Sequence, residues 1–278
     1  MNSQNNEKAQ LEDNHEDIIA KAMRGLKIGK NEIAQRIGIE KNKIESVLSG
    51  NIDKKVIQLI ALELDLNVDS LLISAEKSWF PLPQERYNIK QFNLTFGNMK
   101  VNTYLVWSLQ TKEAWLFDSG PDSNPIVQFL QEKCLEVSAV FLTHTHRDHI
   151  HCLGNLLPQI KNPQVFVHEE ETLEGATAIQ EGFQSSITGL KLVSLHTHGH
   201  SAGGTTYLIE GLGKPVAIVG DALFAGSMGG GMISYEDALR TNREKIMTLP
   251  NETILCPGHG PMTTIAEEKQ YNPFFPEF

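Results

Sequence analysis

Apolar positions along the chain follow two different rhythms, one in each part. The start is polar, from Met1 to Glu7, and residues 1–14 read as a disordered tail. A helical period follows. Ile33, Ile37, Ile39, Ile44 and Val47 mark two short amphipathic helices, over 30–37 and 41–48. Ala34 is small enough for the two to cross closely, and Gly38 stands where a tight turn wants a positive φ. Residues 53–64 and 68–73 add two more helices that close a small core. Further on, short apolar runs appear between turn residues: 137–142, 191–195, 215–219 and 253–256. These have the length and composition of strands. Residues 153–160 read as a helix. The break between the two rhythms falls at 74–78, with Pro81 and Pro83 stiffening the connection. The expected organisation is a small all-α domain over 15–75 and an α/β domain over 79–278, each with its own core.

The strand-like runs all end in the same chemistry. Residues 137–142 lead into Thr143-His144-Thr145-His146-Arg147-Asp148-His149. The other three lead into His200, Asp221 and His259, each beside glycine. Loops at strand ends are where a rigid scaffold presents functional groups. His144 and His146 are two apart, so on extended chain their rings point the same way. Asp148 and His149 follow as the chain turns and can face a second ion. Imidazole and carboxylate together suit zinc, iron or manganese. Seven such groups are too many for one tetrahedral ion and enough for two ions sharing a bridge. Asp118, at the end of another apolar run and before Ser119-Gly120, is a candidate acceptor for a ligand imidazole N–H.

Over about residues 79–278 these runs resemble the metallo-β-lactamase superfamily of metallohydrolases, and within it the glyoxalase II-like branch. The segments Gly220-Asp221-Ala222-Leu223-Phe224-Ala225-Gly226-Ser227 and Pro257-Gly258-His259-Gly260-Pro261 carry most of that likeness, with the tail from Glu267 to Phe274. The resemblance implies an αββα sandwich. It implies His144, His146 and His200 on one divalent transition metal and Asp148, His149 and His259 on a second, with Asp221 bridging. Zinc is the expected metal, with iron and manganese as alternatives. The implied activity is hydrolysis of a small-molecule thioester, lactone or ester by a metal-bound hydroxide, which Asp148 helps to orient. The chain departs from the branch in places. His151 and Cys152 stand where small residues are usual, and His196 and His198 precede His200. These read as loop residues, and Cys152 as a small buried one. The segment from Met228 to Ser234 is glycine-rich and uncharged, where relatives acting on glutathione carry basic residues. It reads as a flexible rim, and glutathione thioesters are expected to be poor substrates. An iron persulfide dioxygenase with one metal shares the implied fold and is the alternative within enzymes.

Residues 15–75 resemble the Cro/repressor-type helix-turn-helix domain, through Ser46-Val47-Leu48-Ser49-Gly50 and the run from Leu59 to Leu66. The recognition helix is then 41–48, with Lys41, Asn42, Lys43 and Glu45 facing the groove of DNA. Residues 21–55 carry a local excess of basic side chains, while residues 1–75 as a whole carry slightly more acid than base. DNA contact and a docking or dimerisation role both stay open, and a homodimer is expected. A regulator that senses a ligand through an inactive metal domain is the reading from another class.

Composition narrows the field. The net charge is −10, nearly all of it outside the first 75 residues, which argues against a nuclease. No apolar run reaches the length of a membrane span, and the start has no signal-peptide core. Three cysteines give no disulfide framework, so a cytoplasmic setting is expected.

Overall fold

A computed structural model describes residues 10–84 and 88–278. The first part of the expected tail, residues 1–9, lies outside the described residues. Residues 10–14 are described and touch the rest of the molecule, as shown below.

Five helices come first: α1 (His15–Gly25), α2 (Lys30–Ile37), α3 (Lys41–Val47), α4 (Lys54–Glu63) and α5 (Val68–Ala75). α2 ends because Gly38 takes a left-handed φ of 66°, which turns the chain into α3. Asp53 and Asn67 cap α4 and α5 by accepting from the backbone N–H three residues on. α1 fell outside the helices set by the apolar pattern.

Two six-stranded sheets follow. The first runs in the order β1 (Ile89–Phe96), β2 (Met99–Trp107), β3 (Glu113–Phe117), β4 (Glu136–Phe141), β5 (Gln164–His168) and β6 (Thr177–Ile179). The second holds β7 (Gln184–Ile187), β8 (Leu190–His196), β9 (Thr205–Glu210), β10 (Val216–Gly220), β11 (Ile254–Pro257) and β12 (Thr263–Thr264), with neighbours in sequence paired. Between the sheets lies an aromatic core of Tyr104, Phe117, Phe141 and Tyr207 with Ile218 and Cys256. The outer face of the first sheet is covered by α6 (Asn124–Lys133), α7 (Arg147–Ile150) and α8 (Leu153–Leu156). The single helix expected over 153–160 is α8 followed by a 3-10 turn, Leu157–Ile160. Pro158 has no N–H to donate and interrupts the α pattern there. The outer face of the second sheet meets α9 (Tyr235–Thr241) and α10 (Ile265–Tyr271). Helix, sheet, sheet and helix layers make an αββα sandwich.

Strand directions gather the loops of interest at one edge. β3 and β4 are parallel. β8 and β10 are each antiparallel to β9 and so run the same way, and β11 is parallel to β10. The C-terminal ends of these five strands carry every candidate ligand and Asp118.

The expectation of two separate cores is not met. Ala217, Val219 and Leu255, on the outer face of the second sheet, belong to one continuous buried cluster with Ile19, Ile57 and Leu71 of the first helices. Asn67 N–H donates to the Pro273 carbonyl at 2.8 Å, and Ser70 Oγ to that of Gln270 at 3.2 Å. Gly25 lies so close to the Tyr235 ring that a Cβ there would stand 2.2 Å from it. The helical module is thus part of the outer helix layer. Among the described residues, no helix is long and apolar enough to cross a membrane.

Candidate metal centre

The loop after β4 begins with Thr143, whose N–H and Oγ1–H both donate to Asp118, at 2.8 Å each. Its hydroxyl proton is therefore engaged, and its oxygen accepts from His144 Nδ1 at 3.0 Å. That contact makes Nδ1 the protonated nitrogen of His144 and leaves Nε2 with a free lone pair. The same logic repeats around the site. His149 Nδ1–H donates to Asp118 Oδ2 at 2.8 Å. His200 Nδ1–H donates to the Gly230 carbonyl at 2.9 Å, and His259 Nδ1–H to that of Lys100 at 2.5 Å. Four imidazoles are thus held with Nε2 lone pairs aimed inward.

Those lone pairs converge in two groups. His144 Nε2 and His200 Nε2 each stand 3.0 Å from His146 Nδ1, and Asp221 completes this group. Asp148, His149 and His259 form the second, with Asp148 Oδ2 3.3 Å from His259 Nε2 and 3.6 Å from His149 Nε2. Asp221 spans both. Its Oδ1 lies 3.3 Å from His149 Nε2, and its Oδ2 lies 3.3 Å from His200 Nε2 and 3.4 Å from His259 Nε2. The seven residues named from the sequence are thus brought together, at the sheet edge where their strands end.

The donor set fits two divalent metals. The Nδ1–H groups of His144, His149, His200 and His259 are committed to acceptors, which leaves their four Nε2 lone pairs available to a cation. His149 Nε2 and Asp221 Oδ1 are fully buried with no hydrogen-bond partner among the described residues. Such atoms are costly unless an ion or water completes them. Burial and the neighbouring His149 hold the His144 imidazole below its ordinary range, which keeps it a neutral ligand. His149 is buried too, but Asp221 and Asp118 raise it to about 10, a measure of how much negative charge is directed at this spot.

Several supports were not legible in the sequence. Glu171, in a run of three glutamates, accepts from Thr145 N–H and Oγ1–H with one oxygen and from Gly203 N–H at 2.9 Å with the other. It ties the loop of His144 and His146 to the loop of His200. The glycine run is no loose rim. A Cβ on Gly229 would stand 1.8 Å from the Asp221 carbonyl oxygen, and Gly230 supplies the acceptor for His200. Gly258 is constrained likewise, since a Cβ there would meet Asp221 Oδ1 at 2.1 Å. His196 stacks between His168 and His198 outside both metal groups, and His151 lies against Phe96. Cys152 is buried, its thiol donating to the Ser119 carbonyl. Lys41, Asn42, Lys43 and Glu45 lie exposed on α3, far in sequence from this site, with Lys41 and Glu45 paired along the helix.

Residues 97–259 match the model of the metallo-beta-lactamase superfamily. The chain belongs to that superfamily. It is 30% identical over 216 residues to a probable metallo-hydrolase, YqgX, of Bacillus subtilis, covering 68% of this chain and 99% of that protein. It is 28% identical over 197 residues to the hydroxyacylglutathione hydrolase GloC of Haemophilus influenzae, covering 62% of this chain and 92% of the relative. Among solved structures, TTHA1623 in a di-iron-bound form is similar with a TM-score of 0.54 and 26% identity, covering 66% of this chain and 99% of that one. Helices α1–α5 lie before the superfamily match.

Proposed function

We propose that this superfamily metallohydrolase is dinuclear and hydrolyses a small thioester, lactone or related ester. The observation that carries the reading is Asp221, one carboxylate in contact with imidazoles of both ligand groups. A mononuclear dioxygenase does not require the second group, Asp148, His149 and His259. A sensor without turnover could lose Asp148 or Asp221, and both stand in place. Two divalent ions supply Lewis acidity and lower the pKa of water to about 7, so no serine or cysteine nucleophile is needed. His144, His146 and His200 would hold one ion, Asp148, His149 and His259 the other, and Asp221 would bridge. Asp148 also orients the attacking water. Zinc is the proposed metal, and the di-iron form of a similar structure keeps iron in the comparison. Metal analysis of the purified protein, with turnover of a thioester, lactone and phosphodiester panel, tests the reading. Close to two ions per chain and ester or thioester turnover are expected. Absence of bound metal, with no activity on adding zinc, iron or manganese, would overturn it.

We also propose that α2 and α3 form a helix-turn-helix unit that contacts DNA in a cytoplasmic homodimer. The left-handed turn at Gly38 and the exposed Lys41, Asn42, Lys43 and Glu45 support this. DNA affinity should fall steeply with salt as counterions are released. Lys41→Glu with Lys43→Glu should abolish it in fluorescence anisotropy. Failure of the wild type to bind at micromolar protein and low salt would leave docking as the module's role.

A further inference from the structure

The docked helices bring an N-terminal segment to the mouth of the metal centre. Asp13 Oδ2 accepts from Lys21 Nζ at 2.5 Å and from Ser227 Oγ at 2.6 Å, and Lys21 donates to the Met228 carbonyl at 2.8 Å. The Lys21 ammonium also lies 4.8 Å from the centre of the Phe224 ring, whose edge meets His259. Ser227 and Met228 belong to the loop that leaves Asp221. A neutralised, half-buried latch thus fixes the segment before α1 against the loops of both ligand groups. The residue next to the latch, Glu12, packs on Gly260, where a Cβ would stand 3.3 Å from Glu12 N. Gly260 follows the ligand His259.

Between this segment, the stretch 81–84 and the hairpin of β1 and β2 lies a cavity of about 640 Å³. That is the size of a small-molecule site. Its polar lining has a defined sense. Asn102 Nδ2 donates to the carbonyls of Pro257 and Gly260, so its Oδ1 is the acceptor for Asn93 Nδ2 at 2.8 Å. Asn93 therefore keeps its amide oxygen free of partners among the described residues. Gln91 spends Nε2 on the Gly260 carbonyl, and its oxygen likewise has no partner among the described residues. The Glu12 carboxylate has no hydrogen-bond or ion-pair partner among the described residues. Lys100 is the single cation among the described lining residues, and its ammonium donates outward to Thr95 Oγ1. These amide oxygens and Glu12, whose carboxyl is raised above its ordinary range by burial while His259 and Lys21 draw it back, line a space beside Gly260, the residue after His259.

We propose that this groove holds the part of the substrate beyond the scissile bond and selects a protonated amine there, with Glu12 as its counter-charge. The proposal rests on the hydrolase reading above. It makes the helical module a specificity element of the site, and it gives a second reason for glutathione, a net anion, to be a poor leaving group here.

The test uses the full metal-loaded chain and three thioesters of one acyl group. The thiols are 2-(dimethylamino)ethanethiol, its uncharged carbon isostere 3-methylbutanethiol, and 3-mercaptopropionate. The tertiary amine cannot capture the acyl group as a stable amide. kcat/KM for the cationic thioester should exceed that of the neutral isostere about tenfold or more, as for a hydrogen bond to a charged group, with the anion slowest. In Glu12→Gln the ratio of cationic to neutral should fall to near one. Equal rates in the wild type, or a preference that survives in Glu12→Gln, would overturn the proposal. Binding of N,N-dimethylbutylamine, followed by calorimetry, separates the two readings. If no thioester turns over but the amine binds the wild type and not Glu12→Gln, the groove stands and the hydrolase reading falls. If the amine binds both alike, or neither, the groove proposal falls.

Discussion

Asp118 lies directly beneath His149, its Oδ2 accepting from the ring's Nδ1–H at 2.8 Å, while the same carboxylate accepts from Thr143, which in turn orients His144. One carboxylate at the end of β3 therefore sets the proton position on a ligand of each metal group. Asp118 has a φ of 58°, a conformation that asparagine also tolerates. Asp118→Asn fits the backbone but offers His149 one acceptor oxygen and a competing N–H. Affinity at the second group should drop by about 10- to 100-fold. Competition of a chromophoric chelator for bound zinc measures this, and unchanged affinity would refute the orienting role.

Glu171 offers a test confined to the first group. It ties Thr145 to Gly203, and so the loop of His144 and His146 to the loop of His200, without touching Asp148, His149 or His259. Glu171→Ala frees the two loops from one another. The metal ion held by His144, His146 and His200 should leave first under chelator. The expected stoichiometry is close to one ion per chain at chelator levels that leave the wild type with two. Loss of both ions together would show that the loops are held by other means.

The candidate ligands were legible as a group because their signal is local. A two-residue spacing at a strand end fixes which way His144 and His146 point, and single residues beside glycine at other strand ends complete the set. Their supports are not local. The acceptors for His200 and His259 are main-chain carbonyls of Gly230 and Lys100, which no residue type announces. Glu171 looked like any charged run. The shared core was hidden for a related reason. Ala217 and Val219 are apolar whether a neighbouring helix of their own domain or a distant module covers them, and the pattern cannot say which. The proline-rich stretch near 81–83 suggested a spacer, yet the helices before it are packed back onto the second sheet.

That shared core predicts the outcome of truncation. A chain starting after α5 exposes the outward side of β10 and β11 together with Phe274 and Phe275, all of which are buried in the intact molecule. Exposed apolar area of this kind drives association. The truncated chain should aggregate, or unfold at a markedly lower temperature, in size-exclusion chromatography and thermal melts. A monodisperse truncation with wild-type stability would restore the picture of two independent cores.

Asp148 separates ligand chemistry from folding. It is partly exposed at the mouth, and its contacts are with the ligand imidazoles of His149 and His259. Asp148→Asn removes negative charge where the second ion and the attacking water meet. Turnover should fall by about 10- to 100-fold while the melting temperature of the metal-free protein stays close to wild type. Near-wild-type kcat on a substrate that the protein hydrolyses would remove Asp148 from the mechanism.

The last prediction concerns pH and a carboxyl group away from the metals. Glu268 on α10 is fully buried and accepts from Thr263 Oγ1–H at 2.7 Å, from Asn272 Nδ2–H at 2.8 Å and from the Gly226 N–H at 3.0 Å. Burial dominates these hydrogen bonds and raises its pKa to about 8, from an ordinary 4.5. The folded state then holds this proton more tightly than the unfolded chain. Its stabilising contribution is complete below the unfolded pKa and is lost as pH climbs toward 8. Glu268→Gln keeps a neutral acceptor in the same place and removes the titration. The difference in melting temperature between wild type and Glu268→Gln should therefore shift against the wild type between pH 5 and pH 8.5, and level off above it. A difference that does not change with pH would show that Glu268 is ionised throughout, held by its three donors against the cost of burial.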